Sequence, residues 1–370
     1  MNGLTAAQSD AIAFVSQYAE HRRAAAERTI DEILRMSNIH RAQFDRTVEL
    51  LKANARVALH FHPDRPDSSF KRVVEAMLDQ GIYRNQFETH ISSGSLSAFP
   101  GGERDGWERA VFGGAYHRLG VKDGERPKYG ALDLTLQPDG PAPRFGSCYV
   151  LLSPEASKRC TFTYLDSHDD PAEKGTLEKF DDILAALLKD LFLGDMAIGA
   201  RDITVREFID QLAGKIGKPF GDPAGGKPSR NLNRYIETQV HGEVSLADDV
   251  DILVADPSFA DSATGDIMRA LCARYSIALY WHMGFTLEPA EVPQDFRGPT
   301  MPSLAHRVAC EGWVDASAIG EAAMGLKMNP AAWSDRGSYG EVLQELKLLW
   351  HVLVRYGRSF YPARPQDRRG

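Results

Sequence analysis

The chain has 370 residues, enough for two or three domains, and its 43% hydrophobic and 25% charged content is ordinary for a globular protein with a sizeable core. With 43 Lys and Arg against 51 Asp and Glu, the net charge of −8 excludes a broad nucleic-acid footprint but leaves room for a local basic groove. Cys148, Cys160, Cys272 and Cys310 show no CxxC spacing and no secreted-domain density, so reduced thiols are expected. The N-terminus carries no apolar signal core and no run approaches 18 apolar residues. The expectation is a soluble cytoplasmic chain without a membrane span, with export by a signal-independent route left open.

In chain order, three helices are expected first, Thr5–Glu20, Arg22–Met36 and Ile39–Asn54, each with apolar residues at three- and four-residue spacing. Asn38 is a candidate N-cap for the third. Character changes at Arg56. Val57–His62 reads as a strand ended by Pro63-Asp64-Arg65-Pro66, followed by a helix from Phe70 to Gln80 that Ser68 or Ser69 caps and Gly81 closes. His60 and His62 share one strand face, and three readings stay open. The pair binds a metal with Asp64 as a third ligand, or one histidine orients a ligand hydroxyl, or both are structural.

Residues 82–130 are rich in Gly, Ser and aromatics, with Tyr83, Phe87, Ser92-Ser93-Gly94-Ser95, Trp107 and Phe112-Gly-Gly-Ala-Tyr116. An ordered loop of this composition is expected to line a binding site, its small residues admitting a ligand and its aromatics stacking on it. Tyr129 stands at the edge of a predicted strand, Ala131–Leu136. Phe145–Leu152 and Arg159–Tyr164 are read as an antiparallel pair, and Asp166-Ser-His-Asp-Asp170 as a solvated turn. Helices follow at Leu177–Leu193 and Val205–Ile216, the second capped by Thr204. Gly221–Ser229 lacks the phosphate-loop pattern and is read as a flexible loop.

The chain is organised around Arg234–Val254. Tyr235–Val240 and Val250–Val254 read as strands, separated by a turn at His241-Gly242 and an acidic stretch. Alternation puts Tyr235, Glu237 and Gln239 on one face and Ile236, Thr238 and Val240 on the other. If the polar face lines a cleft, Glu237 is a carboxylate held on a rigid element. Beyond it, helix, strand, helix, helix and helix are expected at Ser262–Tyr275, Ile277–His282, Leu304–Cys310, Ala316–Met324 and Tyr339–Tyr356, with a basic tail from Arg358.

Phe61-His62-Pro63-Asp64-Arg65, the aromatic strand edge at Tyr129, and the strand carrying Glu237 before Leu246-x-x-Asp249-Val250 together resemble the ADP-ribosyltransferases of the His-Tyr-Glu branch. The first motif departs from that family's His-Gly-Ser/Thr-Arg at both positions between His62 and Arg65. The chain also resembles, over most of residues 57–310, a microbial family known only as a domain of unknown function, which implies no activity. The enzyme resemblance implies NAD+ as substrate, without a metal, and a macromolecular acceptor, protein or nucleic acid, as partner. It gives Glu237 the nicotinamide-ribose 2′-hydroxyl and the developing cation, His62 the adenosine-side ribose, and Tyr129 the nicotinamide stack. Tyr116 competes with Tyr129 and His60 with His62, Arg65 completes the first motif, and Gln239 is placed to help the acceptor.

The expected fold is α+β, an ADP-ribosyltransferase-like split mixed or antiparallel sheet. A helical cap (1–55) precedes a mixed core (56–260), and a helical region (261–370) packs on it. The expected activity is mono-ADP-ribosyl transfer, as a toxin, an effector or a housekeeping modifier. Two other classes stand beside it. One is a metal-dependent hydrolase using His60 and His62 with His241, His282 or Asp256, and the other a nucleotide-binding module without turnover.

Overall fold

The computed structural model describes residues 3–91 and 98–360. The Ser92–Ser95 run and the tail beyond Phe360 lie outside the described residues.

The chain opens with helices α1 (Ala6–Met36) and α2 (Arg41–Asn54). The first two expected helices are one, because nothing between Glu20 and Arg22 breaks a helix and the buried stripe Ala11, Val15, Ala19, Ala26, Ile30 runs through in phase. Asn38 caps nothing. It takes the left-handed conformation (φ 53°) after α1, which Asn tolerates, and His40 occupies the N-cap of α2.

Strand β1 (Val57–Phe61) leads to helix α3 (Val73–Gln80). The helix starts three residues later than expected because Asp67 Oδ1 accepts from the amides of Ser69 (2.8 Å) and Lys71 (2.9 Å), closing a separate turn with Phe70 at positive φ. Gly81 closes α3 in the left-handed region as expected. Helix α4 (Glu103–Val111) precedes β2 (Lys128–Leu132), then β3 (Cys148–Leu152), β4 (Cys160–Tyr164) and the edge strand β5 (Lys174–Thr176). Next come helices α5 (Asp181–Gly194) and α6 (Val205–Lys215), β6 (Ile236–Val240) and β7 (Val250–Ala255). Helix α7 (Ala263–Tyr275) and β8 (Ala278–Trp281) follow. Helices α8 (Met301–Val308), α9 (Ala316–Met328) and α10 (Tyr339–Tyr356) end the fold. Thr204 caps α6 through a capping box with Glu207.

These eight strands form one mixed sheet in the order β8-β7-β3-β1-β2-β6-β4-β5, antiparallel except for β7 and β8. The expected pairing of residues 145–152 with 159–164 does not occur. β3 lies between β7 and β1, β4 lies between β6 and β5, and three strands separate them. Their link runs through a short helix, Pro154–Ser157, where Ser157 donates to Ala55 O (2.7 Å) just before β1. β2 also begins earlier than expected, at Lys128, because Lys128 and Tyr129 pair with Val240 and Gln239. It ends at Leu132, where Asp133 N turns to Arg56 O.

Register sorts the side chains. Residues opposite one another in an antiparallel pair share a face. Ala58 opposes Ala131, Ala131 opposes Glu237, and Tyr129 opposes Gln239, which opposes Thr161. One face of the sheet therefore carries His60, Tyr129, Glu237, Gln239, Thr161 and Thr163. The other carries Leu59, Phe61, Val150, Leu152, Phe162, Ile236 and Val240, in the main core with Ile30 and Ile33 of α1 and Leu187, Leu188 and Leu191 of α5. Burying that face supplies most of the driving force for folding, and the polar face is left to build a site. The whole is a mixed α+β fold with N-terminal helices and a helical C-terminal region. No described helix is long and apolar enough to cross a membrane.

Candidate functional site

A cavity of about 560 Å³ opens over the polar face. His62 at the end of β1, Tyr129 in β2 and Glu237 in β6 all line it, from three neighbouring strands, with Arg65 from the loop after β1. The size suits a ligand of several rings.

Glu237 is 6% exposed and accepts from Gln239 Nε2 at 2.9 Å. Burial, and then the nearby Asp166 carboxylate, push its pKa up to about 7, against the Ser167 hydroxyl and the Gln239 amide that favour the ionised form. The carboxyl thus changes protonation near neutral pH, the range in which a side chain can both take up and release a proton. Gln239 does not line the cavity. Its carbonyl accepts from Thr161 (2.8 Å) while its amide serves Glu237, so it holds the carboxyl rather than an acceptor. Thr161 Oγ1 also meets His241 Nε2 (3.0 Å), and His241 Nδ1 meets the Tyr116 hydroxyl.

The two histidines of β1 have different surroundings. His60 borders the cavity, but Nδ1 faces Gly146 O (3.4 Å) and Nε2 accepts from Ala142 N (3.3 Å). Both nitrogens are occupied by backbone, and burial pulls its pKa down to about 3. His62 is held on one side only, Nδ1 on Ser147 Oγ at 3.3 Å, with its ring edge-on to Trp350 at 5.4 Å. Burial, with Arg65 and His351 nearby, keeps it neutral. Its second nitrogen is open to the cavity for a hydroxyl or a carbonyl.

Tyr129 lies within β2 rather than at its edge. Its hydroxyl donates to Glu108 Oε1 (2.9 Å), and the Arg104 guanidinium covers its ring at 4.5 Å. Glu108 is fully buried and bonded to Arg126 (2.7 Å), which anchors the tyrosine to α4. Tyr116 stands elsewhere. With Phe112 it packs on Ala7, Ala11 and Val15 of α1 in a separate apolar cluster, so it stacks on no cavity ligand. The Gly- and aromatic-rich loop contributes Tyr83, Arg104 and Trp107 to the cavity wall instead.

Sequence reasoning missed several lining residues. The turn read as solvated brings Asp166 and His168 to the cavity and buries Ser167. Asp166 Oδ2 accepts from Tyr235 Oη (2.7 Å), and the His168 ring meets Trp107 edge-on at 4.9 Å. The adjacency of that turn to the end of β4, beside β6, was its only sequence signal, and it needed the strand order to be read. Arg144 and Lys347 also line the cavity, from segments with no motif.

Among the described residues, no three His, Cys, Asp or Glu side chains are grouped to hold a metal ion. His282 has both ring nitrogens on backbone, Ser147 O and Gly284 N at 3.0 Å each, and His241 has both on side chains. Asp64 sits buried against Gly320 of α9 with Oδ1 unpartnered.

A family model described as "Protein of unknown function (DUF3626)" matches residues 56–356. The match begins one residue before β1 and ends with α10, so it spans the sheet and the cavity and leaves out α1 and α2. No curated protein matches the chain.

Proposed function

The chain belongs to the DUF3626 family, and we propose that it transfers ADP-ribose from NAD⁺ to a macromolecular acceptor. One observation carries this reading: His62, Tyr129 and Glu237, from three adjacent strands, line a single cavity. In this reading the sheet is of the ADP-ribosyltransferase kind, with β1, β2 and β6 as its catalytic part.

The chemistry sets the demands. Breaking the nicotinamide–ribose bond leaves the bonding pair on the nicotinamide nitrogen and positive charge on the ribose. The acceptor nucleophile then bonds to the anomeric carbon and loses its proton. A buried carboxylate beside the ribose lowers this barrier by stabilising the cation. Glu237, ionising near pH 7 on a fixed strand, has that capacity. The Tyr129 ring already carries a planar cation, Arg104, on one face. The nicotinamide ring of NAD⁺ is also planar and cationic, and it can take that place. The open nitrogen of His62 suits a ribose hydroxyl at the far end.

Labelled NAD⁺ incubated with a cell lysate and the protein, beside Glu237→Ala, tests the reading. Label on a macromolecule with wild type alone is expected. Equal labelling by the variant would reject Glu237 as the catalytic group. Tight NAD⁺ binding without nicotinamide release would support a nucleotide-binding module instead. Stoichiometric zinc without either signal would return the chain to the hydrolases.

A further inference from the structure

Arg65 is 9% exposed, yet its guanidinium makes no hydrogen bond and no ion pair among the described residues, and it borders the cavity. A buried cation without a partner is costly, so its position calls for a counter-charge. Of the other lining cations that form no ion pair, Arg104 is taken up by the Tyr129 ring (4.5 Å) and Lys128 by Gly242 O (2.8 Å), which leaves Arg144 and Lys347. Lys347 on α10 makes no ion pair, and Arg144 bonds only the neutral Asn233 Oδ1 (3.1 Å), leaving its buried Nε unmet. Buried Arg126, by contrast, is paired with Asp105 (2.6 Å) and Glu108 (2.7 Å).

One side chain links the segments that bear them. Trp350, one turn along α10 from Lys347, donates to Pro143 O (2.8 Å) next to Arg144 and packs against His62, three residues from Arg65. Burial, and repulsion from Arg144 and Arg297, push the Lys347 ammonium down to about 8, so an arriving anion relieves both costs. Asp64, whose charge acts on Arg65, forms no ion pair with it and turns onto Gly320.

We propose that Arg65, Arg144 and Lys347 form an anion subsite for a phosphate or diphosphate group at the α10 wall of the cavity. Planar guanidinium forks match phosphate oxygens, and a lysine adds a point charge. The subsite stands whatever reaction the cavity performs. If that reaction is ADP-ribosyl transfer, it takes the diphosphate of NAD⁺.

The test titrates wild type and Arg144→Gln/Lys347→Gln with inorganic pyrophosphate, ADP and adenosine, following tryptophan fluorescence and melting temperature. Pyrophosphate and ADP are expected to bind wild type and raise its melting temperature. Both are expected to lose at least tenfold in affinity in the variant, while adenosine is unaffected. Removing mutually repelling cations leaves the fold intact, so an unchanged melting temperature of the free variant certifies the comparison. ADP binding far tighter than pyrophosphate marks a nucleotide ligand; similar affinities mark a simple phosphate. Pyrophosphate that does not bind, or binds both proteins equally, overturns the subsite. Glu237→Ala is expected to keep pyrophosphate binding, so loss of transfer and loss of the subsite are read separately.

Discussion

Gln239 Nε2 donates to Glu237 Oε1 across 2.9 Å, from two residues along the same face of β6. An ionised carboxylate only accepts, so the amide of Gln239 faces it and the carbonyl faces Thr161. Thr161 therefore donates its one proton to Gln239 Oε1 and accepts from His241 Nε2, which leaves Nδ1 to accept from Tyr116. Every donor points toward Glu237, and aligned hydrogen bonds polarise one another. The residues that looked like a second stacking tyrosine and a metal ligand instead hold the carboxylate from behind.

The strength of that support is expected to fall off with distance. Gln239→Leu removes the direct donor and is expected to raise the pKa of Glu237 above its value of about 7, with roughly a tenfold loss of activity at pH 7. Tyr116→Phe removes only the last donor and is expected to cost two- to threefold. The pH–rate profiles of both, or a carboxyl titration by NMR, check this. Equal shifts from the two variants would refute a graded relay.

Glu237 should also govern a pH dependence of stability. Its folded pKa, about 7, lies above the unfolded value of about 4.5. Between those values the folded form holds a proton that the unfolded form has lost, so stability falls as pH rises from 4.5 to 7 and is level above. Glu237→Gln removes the buried charge. At pH 8 the variant is expected to exceed wild type by roughly 1–3 kcal/mol in urea unfolding, a margin that shrinks toward pH 4.5. A wild type that gains stability over this range relative to the variant would contradict the assignment.

Local pattern carried much of this into the sequence. The alternation in Tyr235–Val240 put Glu237 and Gln239 on one face, and the structure keeps them there. Capping by Thr204, closure by Gly81 and the span Tyr339–Tyr356 were legible because each depends on neighbours in the chain. Strand order was not. Whether β3 pairs with β4 or is separated from it by three strands depends on which faces the helices cover, and no spacing encodes that. Hence Asp166 read as solvent-facing, and Arg144 and Lys347 could not be joined to His62.

His60 and His62 should part company on substitution. His60→Ala leaves Ala142 N and Gly146 O without partners and is expected to cost about 1–3 kcal/mol of stability. His62→Ala removes the ring nitrogen that, of the two β1 histidines, stays open to the cavity and is expected to lower nucleotide affinity at least tenfold, with the smaller loss of stability. Denaturant unfolding and ADP titration on both variants separate these effects. The reverse pattern would make His60 the ligand-facing residue.

The last prediction concerns how the loop that bears Arg65 is held. Gly320 lies inside α9, where an alanine ordinarily stabilises a helix by about 1 kcal/mol. A Cβ at Gly320, however, would fall 1.3 Å from Asp64 Oδ2. Asp64 sits between His62 and Arg65, so the clash is transmitted to both. Gly320→Ala is expected to destabilise by about 1–3 kcal/mol, as overpacking does, and to weaken pyrophosphate binding. Gly325, in the same helix with nothing within 4 Å of its added Cβ, provides the control, and Gly325→Ala is expected to stabilise. Pairing Gly320→Ala with Asp64→Ala should recover part of the loss, since the colliding carboxylate is then gone. Equal gains from Gly320→Ala and Gly325→Ala would mean that Asp64 does not fix the loop.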